Sequence, residues 1–137
     1  MSLTASSRSV PGTSRQKVLI DGRHRLTTDE PVRLGGGGLG PAPHELLPAA
    51  LAACISTTLV TYARRKQWEL GEVEVYVKYD NKSTPRRFDV AITLSGQLTE
   101  AQLERLRKVA DACPLRRALE TGFEFHEQLS ARTAAAA

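Results

Sequence analysis

Cys54 and Cys113, the only cysteines of this chain, are the residues whose type could do thiol redox or nucleophilic chemistry. Cys54 lies inside Ala49-Ala50-Leu51-Ala52-Ala53-Cys54-Ile55-Ser56, where small neighbours let another backbone come close. Cys113 precedes Pro114, a residue that favours the first turn of a helix, so its sulfur is expected at a helix amino end where the dipole favours a thiolate. A thiolate with a second thiol in reach can take an oxygen atom from a peroxide and then condense to a disulfide, provided an external reductant resets it. The same two residues are equally compatible with inert packing of separate thiols, since free cysteine is commonly a buried small hydrophobe.

Rival chemistries fare less well. His24, His44 and His126 are scattered and no paired-cysteine spacing is present, so no metal site is expected. The cysteines are not in a Cys-x-x-Cys arrangement, which argues against a thioredoxin-like centre. Hydrolysis by Cys54 needs a positioned base, for which His44 is the candidate.

The elements that must position the sulfurs follow from pattern. The first 15 residues, rich in Ser and Thr with a Pro and a Gly, read as a flexible tail. Lys17 to Ile20, then Asp21-Gly22, then His24 to Thr27 predict a tight hairpin, because Asp-Gly takes the positive φ values such a turn needs. Residues 32–42 read as loop, with Arg33 ahead of four consecutive glycines. The apolar run from Pro43 to Lys66 predicts a buried helix rather than a membrane span: Glu45 and Pro48 at one end and Arg64-Arg65-Lys66 at the other leave too short an apolar core. Pro48 is expected to kink or delay its first turns.

Alternation of Val73, Val75, Val77 and Tyr79, and then of Phe88, Val90, Ile92 and Leu94, predicts an antiparallel pair with one wet face. Thr99 with Gln102 forms a capping-box signal for a second helix, whose stripe Leu103, Leu106, Ala110 carries Cys113 toward the core. Pro114 opens a short third helix to about Thr121, and a last strand is expected through Phe123, Phe125 and Leu129. The whole reads as one α+β domain over residues 16–130, with residues 131–137 a tail. With 137 residues, a net charge of +4, few aromatics and scattered basic residues, neither nucleic acid nor membrane is an expected partner. Two cysteines and no apolar, cleavable amino-terminal signal point to a reducing cytoplasm.

Asp29-Glu30-Pro31, the glycines into Gly40-Pro41-Ala42-Pro43-His44-Glu45-Leu46-Leu47, Ala50-Leu51-Ala52-Ala53-Cys54, Tyr62-Ala63-Arg64-Arg65-Lys66, Gly96-Gln97-Leu98-Thr99 and Ala112-Cys113-Pro114-Leu115 together resemble the OsmC/Ohr family of osmotically induced and organic-hydroperoxide-resistance proteins, on its less characterised OsmC-like branch. The resemblance runs from about residue 17 to 129. It implies an intertwined homodimer, with antiparallel sheet wrapped around two central helices. It also implies thiol-dependent reduction of organic hydroperoxides, with Cys54 peroxidatic and Cys113 resolving, an external dithiol as reductant and no cofactor. Arg33 corresponds to the cation that steadies the peroxidatic thiolate. The family's acid falls at His44 here, and Glu45 follows one residue later. Nine residues at about 100° each set Glu45 opposite Cys54 on a straight helix, so only a kink at Pro48 or a partner subunit would unite them. The other reading is a non-catalytic binding or stress protein of the same fold, with Leu47, Leu51 and Leu59 walling an apolar pocket.

Overall fold

The structure is a computed structural model, and it describes residues 3–132. Strands β1 (Ala5–Ser9), β2 (Gln16–Ile20) and β3 (His24–Thr28) form an antiparallel sheet in that order. The β2–β3 turn is the expected one, with φ of 54° at Asp21 and 68° at Gly22. β1 corrects the reading of residues 1–15 as a flexible tail. Its Ser-rich sequence has no apolar alternation because all five residues are exposed, and what holds it is the backbone ladder to β2, with Ala5 opposite Ile20 and Ser9 opposite Gln16.

After a single 3-10 turn at Val32–Leu34 and another at Pro43–Glu45, helix α1 runs from Leu46 to Lys66. The stretch Pro43–Lys66 is long and apolar enough to cross a membrane by length and composition, which corrects the expectation of too short an apolar core, and in the fold the Leu51, Ile55, Leu59 and Ala63 stripe of α1 is buried, chiefly against β4. The first turn of the apolar run, Pro43–Glu45, is 3-10 and the α-helix starts only at Leu46, the delay expected of Pro48. The α-helical start at Leu46 puts Pro48 in the first turn, where backbone N–H groups have no intrahelical acceptor and a missing one costs nothing. The basic end is as expected: Arg64, Arg65 and Lys66 fill the last turn, and Gln67 closes it with a left-handed φ of 58°.

β4 (Val73–Asp80) and β5 (Arg87–Leu94) pair in register, Val75 opposite Ile92 and Val77 opposite Val90. α1 covers β4 more than β5, so Val90 and Ile92 stay 42% and 36% exposed although the alternation marks them as core. Helix α2 (Glu100–Asp111) begins with the expected box: Gln102 N–H donates to Thr99 Oγ1, and Thr99 N–H donates to Gln102 Oε1. Its Leu106 and Ala110 are buried, while Leu103 is largely open. α3 (Pro114–Thr121) follows after a two-residue corner.

Residues 122–132 hold no strand, which corrects the expectation for 123–129. No neighbouring strand among the described residues offers a ladder there, and Phe125 and Leu129 stand open at 82% and 101%. The expected tail of 131–137 lies mostly outside the described residues. None of the larger element contacts joins the β1–β3 sheet to the layer built from α1, β4 and β5. Leu59, 1% exposed, sits at the centre of that layer. Leu59→Ala is expected to lower unfolding free energy by about 3 kcal/mol, read from the urea midpoint at unchanged slope.

Candidate functional site

Cys54 is in the third turn of α1 and Cys113 is the residue that caps α3. Their sulfurs lie 3.2 Å apart, across 59 residues of sequence. Both thiols are free, and a disulfide needs about 2.0 Å, so this is a reduced pair already in contact rather than a bond. Two packing events make the contact. The Leu51, Ile55 and Leu59 stripe sets the roll of α1, and burial of Leu106 and Ala110 sets α2 so that its end delivers Cys113 to α1.

The two sulfurs differ in exposure and in charge preference. Cys113 is fully buried, whereas Cys54 is only half-buried. At Cys113 burial opposes the thiolate, but the backbone N–H of Arg116, the Cys54 thiol, the N–H of Leu115 and the Thr58 hydroxyl outweigh it, and its pKa lies below the ordinary value. This is the helix amino-end effect expected from Cys113-Pro114. At Cys54 burial and the neighbouring Cys113 push the thiol up. Within one chain, then, the first negative charge on the pair favours Cys113, and Cys54 holds the proton.

Thr58 belongs to this site although the sequence reading passed over it. Its hydroxyl donates to the Cys54 carbonyl at 2.8 Å and stands beside both sulfurs. The available signal was its spacing: four residues after Cys54 is the same face of α1.

Arg33 and Glu45 are not joined to the sulfurs. Arg33 is exposed in the 3-10 turn at Val32–Leu34, with no hydrogen-bond or ion-pair partner among the described residues. Glu45 is exposed as well, and its Oε1 accepts from Ala42 N–H at 2.9 Å, which closes the turn that leads into α1. It lies in the 3-10 turn before α1, and no hydrogen bond joins it to Cys54 among the described residues. His44, also exposed, makes no hydrogen bond to Cys54 among the described residues. No group of three His, Cys, Asp or Glu side chains there is arranged to hold a metal ion.

The loop that carries Arg33 is fastened by Asp29, which is 1% exposed. Its Oδ1 accepts from Ser14 Oγ at 2.6 Å, and its Oδ2 accepts from Gly37 N–H at 3.1 Å and Leu39 N–H at 3.2 Å. The Ser14 hydroxyl is the main reason the carboxyl titrates below its ordinary 3.8, and the two amides add to it against the cost of burial. A Cβ at Gly36 would overlap the Glu30 carbonyl, so this fastening also requires glycine there.

Residues 35–127 match the model of the OsmC-like protein family. None of the curated proteins matches the chain. Among solved structures, an OsmC-like protein from Mycoplasma pneumoniae superposes with a TM-score of 0.71 at 17% identity, over 88% of each chain. An organic hydroperoxide resistance protein OsmC from Legionella pneumophila gives 0.61 at 24% identity, over 87% of this chain and 89% of its own. A protein from Psychrobacter arcticus, provisionally described as osmotic stress induced and of the detoxification response, gives 0.67 at 25% identity, over 83% and 85%. These likenesses carry the mixed α/β fold with antiparallel strands.

The difference in burial predicts the order of alkylation: iodoacetamide should label Cys54 before Cys113, faster as pH rises because the Cys54 thiol is pushed up, with peptide mass spectrometry reading the site. Asp29, depressed in the folded state, stabilises above its unfolded value and loses that effect as pH falls through the folded one. The stability gap between the native chain and Asp29→Asn is therefore expected to close below pH 3.8, measured by urea unfolding.

Proposed function

The chain belongs to the OsmC-like family, and on that premise we propose that it is a thiol peroxidase that reduces organic hydroperoxides. The observation that carries this reading is the 3.2 Å contact between two free thiols of unequal exposure. Cys54, the one a substrate can reach, is the peroxidatic thiol. As thiolate it attacks the distal oxygen of R–OOH, the O–O bond breaks, the alkoxide leaves and takes a proton to become R–OH, and Cys54 becomes a sulfenic acid. Cys113, sealed from solvent and held toward the thiolate by α3, is the resolving thiol. It attacks the Cys54 sulfur, forms the disulfide and releases hydroxide as water. An external dithiol returns the pair to the reduced state, which suits a reducing cytoplasm.

Burial and Cys113 push the Cys54 thiol up, so its ionisation calls for a cation, and the family resemblance points to Arg33. A guanidinium brought to Cys54 would favour its thiolate and the charge developing on the peroxide. Arg33 is the candidate for that role in a homodimer, with Glu45 as the carboxylate that orients the guanidinium and a partner subunit supplying what a single chain leaves apart. Support for assembly comes from area. The chain has an accessible surface of 11132 Å², against about 7000 Å² for a compact monomer of this mass. Strand β1, Val90 and Ile92 and the strandless 122–132 segment are among the surfaces left open.

A second reading, a non-catalytic small-molecule binder, is favoured by one observation. A cavity of about 430 Å³, with Ile55, Leu59, Ile92 and Leu106 on its apolar side and Arg107 and Arg116 on its charged side, is large enough for a small ligand; of the expected wall only Leu59 lines it, and Leu47 and Leu51 do not.

Reduced protein mixed with one equivalent of cumene hydroperoxide is expected to lose both thiols and gain a Cys54–Cys113 disulfide. Cys113→Ser should stop at a sulfenic acid on Cys54 that dimedone traps, and Cys54→Ser should consume no peroxide. Unchanged thiol content in the native chain, together with ligand binding that Cys54→Ser retains, would favour the binder instead.

A further inference from the structure

The corner that carries Cys113 is bridged by one side chain. Arg116, in the first turn of α3, donates from Nη1 to Asp111 Oδ1 at 2.6 Å and from Nε to Glu120 Oε1 at 2.8 Å. Asp111 is the last residue of α2 and Glu120 lies one turn further along α3, so the guanidinium ties the two helices together on either side of Ala112 and Cys113. A carboxylate in the last turn of α2 opposes that helix's dipole, so Asp111 gains nothing from its own helix. Its partner is across the bend. The backbone N–H of this same Arg116 is one of the groups turned toward the Cys113 sulfur.

We propose that Arg116 is a positioning residue: its contact with Asp111 holds α3 at the angle that keeps the Cys113 sulfur against Cys54, and so sets how fast the disulfide closes. Its place in turnover rests on the hydroperoxidase reading. There, closure competes with a second peroxide molecule, which would convert the sulfenic acid to a sulfinic acid that the thiol cannot resolve. A loose corner therefore makes the protein more easily inactivated by excess peroxide. All three side chains are about half exposed, with values of 45%, 54% and 59%, so the effect is modest and is screened by salt.

Closure can be timed without peroxide. In the reduced full-length protein, the Cys54 thiolate attacks dithiobisnitrobenzoate, forming a mixed disulfide and releasing one coloured thiolate. Cys113 then attacks the Cys54 sulfur, forms the Cys54–Cys113 bond and displaces the second coloured thiolate. Stopped-flow absorbance separates the two releases. Arg116→Gln and Asp111→Asn are expected to lower the ratio of second to first rate about threefold, and Glu120→Gln, which breaks only the contact within α3, is expected to keep the native ratio. Added salt should lower the ratio in the native chain and leave it unmoved in Asp111→Asn. Thermal melts distinguish this from general destabilisation, because removing a charge from the end of α2 should leave the melting temperature of Asp111→Asn level or raised. A native ratio in Asp111→Asn and Arg116→Gln, or an equal slowing in Glu120→Gln, would overturn the proposal. Peroxide consumption by the native chain, measured separately, tests the hydroperoxidase reading; failure there alone leaves the timing of closure as measured.

Discussion

The approach of two sulfurs to 3.2 Å is the constraint on which the rest of the structure turns. Neither sulfur arranges it. Cys54 is placed by the roll of α1, which is set by Leu51, Ile55 and Leu59 on the adjacent stripe, and Cys113 is placed by the end of α2, set by Leu106 and Ala110. Interiors pack at crystal-like density, so a change of one methylene in this layer is felt as displacement at the thiols. The apolar core therefore acts as the alignment device for the chemistry, while the polar elements decide who reaches it and with what charge.

The same arrangement divides labour between the two thiols. A peroxidatic sulfur needs access and a resolving sulfur needs patience, and the burial of this pair is unequal in that sense. The charge preference runs the other way, toward Cys113, because α3 points its amino end at that sulfur. On the hydroperoxidase reading this makes the resolving thiol ready as soon as the first oxidation occurs. It also leaves the first step dependent on a cation from outside the immediate surroundings of Cys54.

Much of the scaffold was legible in the sequence because local rules agree with the fold. Asp21-Gly22 specifies its turn by positive φ, Thr99 and Gln102 specify the start of α2 by reciprocal hydrogen bonds, and β4 and β5 announce themselves by alternation. The hidden elements are those whose cause is not in the side chains. β1 is a strand through its backbone ladder alone, so a Ser-rich sequence gives no pattern to read. Phe123, Phe125 and Leu129 alternate as a strand would, yet a strand needs a neighbour, and pairing is a property of what lies alongside. Pro48 marks the late α-helical start at Leu46, after a 3-10 turn, and in that first turn its missing N–H is harmless. Arg33 and Glu45 were drawn to the site by resemblance, and no local spacing joins them to it. Thr58 could have been found from helical periodicity once Cys54 was chosen. The Asp111 to Arg116 bridge spans a bend whose angle no periodicity reveals.

The wet three-stranded sheet at the amino end carries one further consequence. A small sheet whose first strand is wholly exposed has little to keep that strand from fraying, and the open edge of β5 is a template for any passing strand. If copies of this chain cover these surfaces for one another, folding and assembly become a single equilibrium. Dilution then acts as a denaturant, and cellular abundance becomes a determinant of how long each molecule stays intact.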